Sequence, residues 1–105
     1  MPKHYLIRML PEASEDLIKI VEFLQKDSPT NANSVAEKLY AAIDSLAFMP
    51  HRFRIHKSTK RPSRIVRSMS VPPFIIYYRI REQELWVVVL TIRHGSQRQP
   101  RQFKH

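Results

Sequence analysis

The chain has no cysteine and only one glycine, Gly95, among its 105 residues. Without thiols there is no disulfide framework, no thiolate nucleophile and no cysteine-based zinc site, and the composition fits a reducing cytoplasm. No apolar run is long enough to span a membrane. The N-terminal stretch HYLIRML is short and broken by Arg8, so neither a signal peptide nor a transmembrane helix is expected. Acid is also scarce in one region: no Asp or Glu lies between Asp44 and Glu82, and none follows Glu84. Residues 1–44 hold 5 Lys/Arg and 7 Asp/Glu, a net of −2, whereas residues 45–105 hold 13 and 2, a net of +11. A field this one-sided attracts RNA, DNA or an acidic protein partner, or else it is a soluble basic surface with no particular target.

What is present reads as one domain over residues 1–105, with the polar, basic residues from about 96 to 105 as a loose tail. Tyr5 to Leu10 suits a strand that Pro11 ends. From Glu12 to Lys26, Ala13, Leu17, Ile20, Val21 and Leu24 mark one face of a helix, and early acids suit the positive end of its dipole. Ser28 is positioned to cap a second helix that starts at Pro29 and runs to about Phe48. Met49 to Ser63 has no period and reads as a basic, mobile loop. His51 and His56 lie in it without cysteine or carboxylate neighbours in sequence, so no metal is expected there, and no cofactor elsewhere. Three strands follow, about Arg64–Ser70, Phe74–Arg81 and Leu85–Arg93, joined by short links that predict an antiparallel meander. The fold class is therefore α+β, with the order β-α-α-β-β-β and an antiparallel sheet packed on a helical hairpin.

Strand parity places Phe74, Ile76, Tyr78 and Ile80 on one face, and Ile75, Tyr77, Arg79 and Arg81 on the other. In the last strand, Trp86, Val88, Leu90 and Ile92 share one face, and Leu85, Val87, Val89 and Thr91 share the other. A helical hairpin covers one side of a small sheet. An apolar strip edged by Arg79, Arg81 and Arg93 is left either for a partner or for the loop or tail to cover.

Ala13, Asp16-Leu17 and Ile20, then Asp27-Ser28-Pro29, then Ala32, Ala36, Leu39, Leu46 and Pro50 form an ordered series. It continues with Arg64-Ile-Val-Arg67, Ile76-Tyr77-Tyr78-Arg79-Ile80 and Val89-Leu-Thr-Ile-Arg93-His94-Gly95. Together these resemble the RelE/ParE superfamily of type II toxin–antitoxin toxins, on its ParE-like, plasmid-stabilisation side. The resemblance implies a small cytoplasmic toxin neutralised by a cognate antitoxin with an acidic toxin-binding part, in a hetero-oligomer and away from membranes. It implies inhibition of an essential target by binding, with DNA gyrase as the candidate. The alternatives are a RelE-like, ribosome-dependent mRNA endoribonuclease, or an inactive basic module that binds antitoxin or nucleic acid. Target or polyanion contacts are expected at Arg52, Arg54, Lys57, Arg61, Arg64, Arg67, Arg79, Arg93 and Arg98. Antitoxin contacts are expected at Tyr77, Arg79, Arg81, Val87 and Val89.

Metal-free RNA cleavage needs a base for the 2′-hydroxyl, an acid for the 5′-oxygen and cations for the phosphorane. His94 or the terminal His105 is the candidate acid, with Arg67, Arg79 and Arg98 among the candidate cations. A base is harder to find: Lys57, Lys60 and a neutral His56 are the available groups, since Glu82 and Glu84 belong to the wrong end of the strands. ParE-like chains commonly carry Arg three positions after this His, and here Arg98 comes four after it. His94-Gly95 thus reads as a chain reversal with Gly95 at positive φ and a locally bonded His94, as a target contact, or as a general acid.

Overall fold

A computed structural model describes residues 3–57, 59–97 and 103. Strand β1 is Leu6–Met9, followed by helices α1 (Pro11–Asp27) and α2 (Pro29–Ser45), each of 17 residues. Strands β2 (Arg54–Lys57), β3 (Val66–Val71), β4 (Phe74–Arg81) and β5 (Trp86–His94) complete the chain. The expected α+β arrangement of a helical hairpin on a sheet is present. The sheet has five strands in the order β1-β5-β4-β3-β2. It is mixed, because β1 runs parallel to β5, with Leu6 opposite Trp86 and Met9 opposite Val89. The other pairings are antiparallel.

The helices begin where local chemistry starts them. Pro11 and Pro29 occupy first-turn positions, where a missing N–H costs nothing. The Ser28 hydroxyl accepts from the Asn31 N–H at 3.2 Å, as a cap should. Just beyond the far end of α2, the Arg52 guanidinium donates to the carbonyls of Ser45, Phe48 and Met49. Arg52, one of the expected target contacts, is exposed and also closes this helix. Arg52→Met is expected to lower stability by about 1 kcal/mol, read as a fall in urea midpoint with unchanged slope.

The inward helix faces and the inner face of the sheet make one core. Leu17, Leu39, Ile43, Leu46, Met69, Ile76, Tyr78, Val87 and Val89 are buried there. The Tyr78 hydroxyl donates to the Pro50 carbonyl at 2.5 Å, and burial pushes its pKa up to about 12. Arg67 also belongs to this side, since it pairs with Tyr78. Its guanidinium donates to the carbonyls of His51 (3.1 Å) and Phe53 (2.8 Å), and so fastens the segment after α2 to the sheet.

Two expectations need correction. The segment 49–63 is not simply a loop: it holds β2 and two short 3-10 turns, Pro50–Arg52 and Pro62–Arg64. Being an exposed edge strand between prolines, β2 shows no apolar alternation. The parity of β5 also changes along its length. Tyr77 lies opposite Thr91 while Tyr78 lies opposite Val89, so Leu90 is an extra residue, a β-bulge. Val87 and Val89 face the helices before the bulge and Ile92 faces them after it, whereas Leu90 joins Tyr77 and Val66 on the outer side.

Candidate functional site

The outer face of the sheet is where most of the predicted cations gather. Arg79 on β4 is 7% exposed and lines a cleft of about 470 Å³ together with Lys57, Lys60, Arg61 and Arg64. Thr59 and Phe103 complete the lining, so among the described residues no carboxylate faces it. Burial, then the neighbouring Arg64 charge, lowers the Arg79 pKa, yet a guanidinium stays charged at any ordinary pH. Beside the cleft, His56 packs on Tyr77 with ring centres 4.9 Å apart and on Phe103 at 5.8 Å. Burial, followed by Arg54 and Lys57, lowers the His56 pKa, which keeps its imidazole neutral near pH 7. Burial raises the Tyr77 pKa against the opposing pull of Arg93 and Arg54.

The apolar strip expected on this side is covered. Phe103 packs against the Val66, Tyr77 and Leu90 cluster, leaving Tyr77 1% exposed. Val87 and Val89 are not on the strip at all; both are 0% exposed beneath the helices, so the expectation that they present themselves to a partner is corrected. Arg81 is exposed and pairs with Glu84 at 3.4 Å. Arg54 is exposed on β2, and Arg93 lies near the far end of β5, donating to the Thr91 hydroxyl at 3.3 Å. Arg98, and the tail apart from Ser96, Gln97 and Phe103, lie outside the described residues.

His94 is held locally. Its Nδ1 accepts from the Ser96 N–H at 3.0 Å and contacts the Ser96 hydroxyl at 2.7 Å, while its own N–H donates to the Gln97 side chain. With Nδ1 accepting, the proton of the neutral ring resides on Nε2. Gly95 does not take a positive φ. Its N–H donates to the Pro73 carbonyl at 2.7 Å, and a Cβ there would lie 3.2 Å from that oxygen, so close approach of two backbones explains the glycine. Arg79 lies opposite Val88, six residues before His94, which is roughly 20 Å at about 3.4 Å per residue. His94 and the cationic cleft are separate places.

Glu82 and Glu84 are elsewhere again, and Glu82 gives His51 a carboxylate partner that is distant in sequence. Glu82, in the β4–β5 turn, is hydrogen-bonded by Tyr5 at 2.9 Å and paired with His51, tying the N-terminus and the α2 exit to the sheet. Burial alone would raise the Glu82 pKa, but these hydrogen bonds and the charges of His51 and Lys3 bring it below its ordinary value of 4.5. A depressed carboxylate stabilises the fold above its unfolded pKa and loses that contribution as pH falls through the folded value. Wild type is therefore expected to exceed Glu82→Gln in urea midpoint at pH 7, with the gap narrowing below pH about 4.

A second concavity lies on the helix side. Ile20, Phe23 and Leu24 of α1, Val35 of α2, Phe74 and Ile92 line a groove of about 680 Å³, with Asp16, Lys19, Lys38, Arg93 and His94 also contributing. Phe23 is 68% exposed there. Neither Phe23 nor this groove was anticipated; the helical period marks core positions and says nothing of where two helices part.

A helical hairpin on a mixed sheet, with a cationic outer face and an apolar groove, defines a small basic α+β protein. Comparison with known proteins identifies its kind. Residues 7–99 match the family described as ParE toxin of type II toxin-antitoxin system, parDE. Toxin RelE2 of Caulobacter vibrioides is 33% identical over 84 residues, 80% of this chain and 88% of the relative. Among solved structures, the chromosomal ParDE system of P. aeruginosa superposes with TM-score 0.67 at 16% identity, covering 87% of this chain and 96% of that one. The archaeal RelE–RelB complex of Pyrococcus horikoshii superposes with TM-score 0.66 at 9% identity, covering 90% and 99%. The chain belongs to the ParE toxin family of type II toxin–antitoxin systems, within the RelE/ParE superfamily.

Proposed function

We propose that the chain arrests growth by binding and inhibiting an essential target, with DNA gyrase as the candidate, and that a cognate antitoxin restrains it. The observation that carries the target reading is the separation of the chemistry. His94, a candidate acid, is bound to Ser96 at one end of β5, roughly 20 Å from the cationic cleft. It lines the helix-side groove with Asp16, Lys19, Lys38 and Arg93, but the Asp16 carboxylate there already accepts from Thr91 and Ile92. Glu82 and Glu84 lie beyond the opposite end of the strand. Cleavage needs acid, base and cations around one phosphate, within a few ångströms of one another. A binding inhibitor needs only a complementary face, and the cationic outer face suits an acidic target surface.

The antitoxin reading rests on the groove. The solved relatives include a ParDE toxin–antitoxin system and a RelE–RelB complex. In this chain, the groove between α1, α2 and the end of β5 suits an amphipathic segment with apolar anchors and acids placed for Lys19, Lys38 and Arg93. The second target reading, an endoribonuclease, finds its support in His56, a neutral imidazole beside the cleft. Titrating purified gyrase with the chain tests the preferred reading. Supercoiling should fall with dose and recover on adding antitoxin, whereas an unchanged supercoiling rate at saturating chain would exclude gyrase.

A further inference from the structure

The corner of the sheet where β1 meets the β4–β5 turn carries an exposed surface that belongs to neither the groove nor the cleft. Tyr5, Ile7 and Met9 face the main core, so His4, Leu6 and Arg8, which alternate with them, project from the opposite face. Leu6 lies opposite Trp86 of β5, and the Arg8 guanidinium sits over the Trp86 ring, 4.3 Å from its centre. Phe48, just past α2, extends the patch: it pairs with His4 through a β-bridge, with ring centres 4.9 Å apart. Leu6 and Phe48 are both more than half exposed, on the side of the sheet away from the helices. Large aromatic side chains and arginine dominate protein–protein contacts, set among apolar neighbours that exclude water. Arg8 is held in place by the ring face of Trp86, and among the described residues no carboxylate pairs with it. The acids of the adjoining turn are engaged, Glu82 with Tyr5 and His51, and Glu84 with Arg81. A second copy of the chain would bring another Arg8 and a further net charge of +9 to the same place. The complement is an acidic protein surface with apolar residues beside its carboxylate.

We propose that Leu6, Arg8, Phe48 and Trp86 form the contact through which the chain engages its target protein, with Arg8 paired to a target carboxylate and the apolar side chains covered around it. The proposal rests on the reading of inhibition by binding. It separates two surfaces, the helix-side groove for the antitoxin and this corner, on the other face of the sheet, for the target.

The test is a Leu6→Ser, Arg8→Glu variant, which changes two exposed side chains on an edge strand. Circular dichroism and urea unfolding check its fold, and Arg8→Gln, a milder change, is made beside it. Inhibition of purified gyrase and growth arrest on induction are measured for each chain, with affinity for purified antitoxin in parallel. The double variant should need at least a tenfold higher dose to inhibit supercoiling and should lose growth arrest, yet bind antitoxin within twofold of wild type. Arg8→Gln should lose part of the potency. A wild-type chain that arrests growth with supercoiling unchanged removes gyrase as the target, and growth arrest then decides the proposal. A wild-type chain that does not arrest growth, or does so by cutting transcripts, removes the reading of inhibition by binding and this proposal with it. Full potency in both variants would overturn the proposal whatever the target. So would an equal loss of antitoxin affinity, which assigns the corner to the antitoxin, or a wild-type dimer that the double variant breaks, which assigns it to a second copy.

Discussion

Replacing Phe23 by glutamate is expected to weaken capture of the cognate antitoxin by about a hundredfold. Phe23 lines the groove between the helices and is 68% exposed in the chain alone. Large aromatic anchors of this kind commonly supply about 2–4 kcal/mol to an interface when a partner covers them. Glutamate removes that anchor and places a charge on an apolar surface, facing the acids expected of the antitoxin. Because the ring is already largely in water, folding stability should change by no more than about 0.5 kcal/mol. Titration of purified antitoxin gives the affinity, and co-expression gives the consequence: antitoxin should no longer rescue growth from the variant. Wild-type affinity in Phe23→Glu would remove the groove from the account of antitoxin binding.

Asp16→Ala is expected to cost about 3 kcal/mol, a large share of the roughly 5–15 kcal/mol that holds a domain of this kind together. β1 pairs with β5 only as far as Val89, after which Leu10 and Pro11 turn the chain into α1. The remaining edge of β5 would be left open. Asp16 reaches it from α1, accepting from the Thr91 hydroxyl at 2.6 Å and from the Ile92 N–H at 3.0 Å. Gln97 does the same for the His94 N–H at 2.7 Å. Removing Asp16 forfeits two charge-assisted hydrogen bonds and exposes a strand edge able to pair with other chains. Urea unfolding should show the loss. Asp16→Asn, which keeps an acceptor, should lose clearly less. Equal losses in the two variants would show that an acceptor at this position contributes nothing.

The helices and the inner sheet face were legible because each carries a regular apolar period. The capping serine and the two prolines fixed where the hairpin starts and turns. What the period could not carry was pairing. Nothing local in Leu6–Met9 distinguishes a parallel neighbour from an antiparallel one, and the Leu90 bulge reverses parity without any mark in composition. Charge was legible only as a sum. Arg52 and Arg67 belong to the same basic half as Arg61 and Arg64, yet the first two satisfy backbone carbonyls while the others face the cleft with Arg79. A count of cations cannot separate a helix cap from a binding surface, because that difference depends on which carbonyls the fold brings within reach of each guanidinium. Asp16 belongs to the family-like residues of α1, but its contact with β5 spans 75 positions and has no local signal.

Inhibition by binding, the proposed mode of action, leaves His94 to serve the turn and not catalysis. The most direct measurement maps RNA 5′ ends in cells after induction of the wild-type chain and of His94→Ala. Both should arrest growth while transcripts stay intact and carry no new ends. New ribosome-dependent ends in the wild type that vanish in His94→Ala would contradict it.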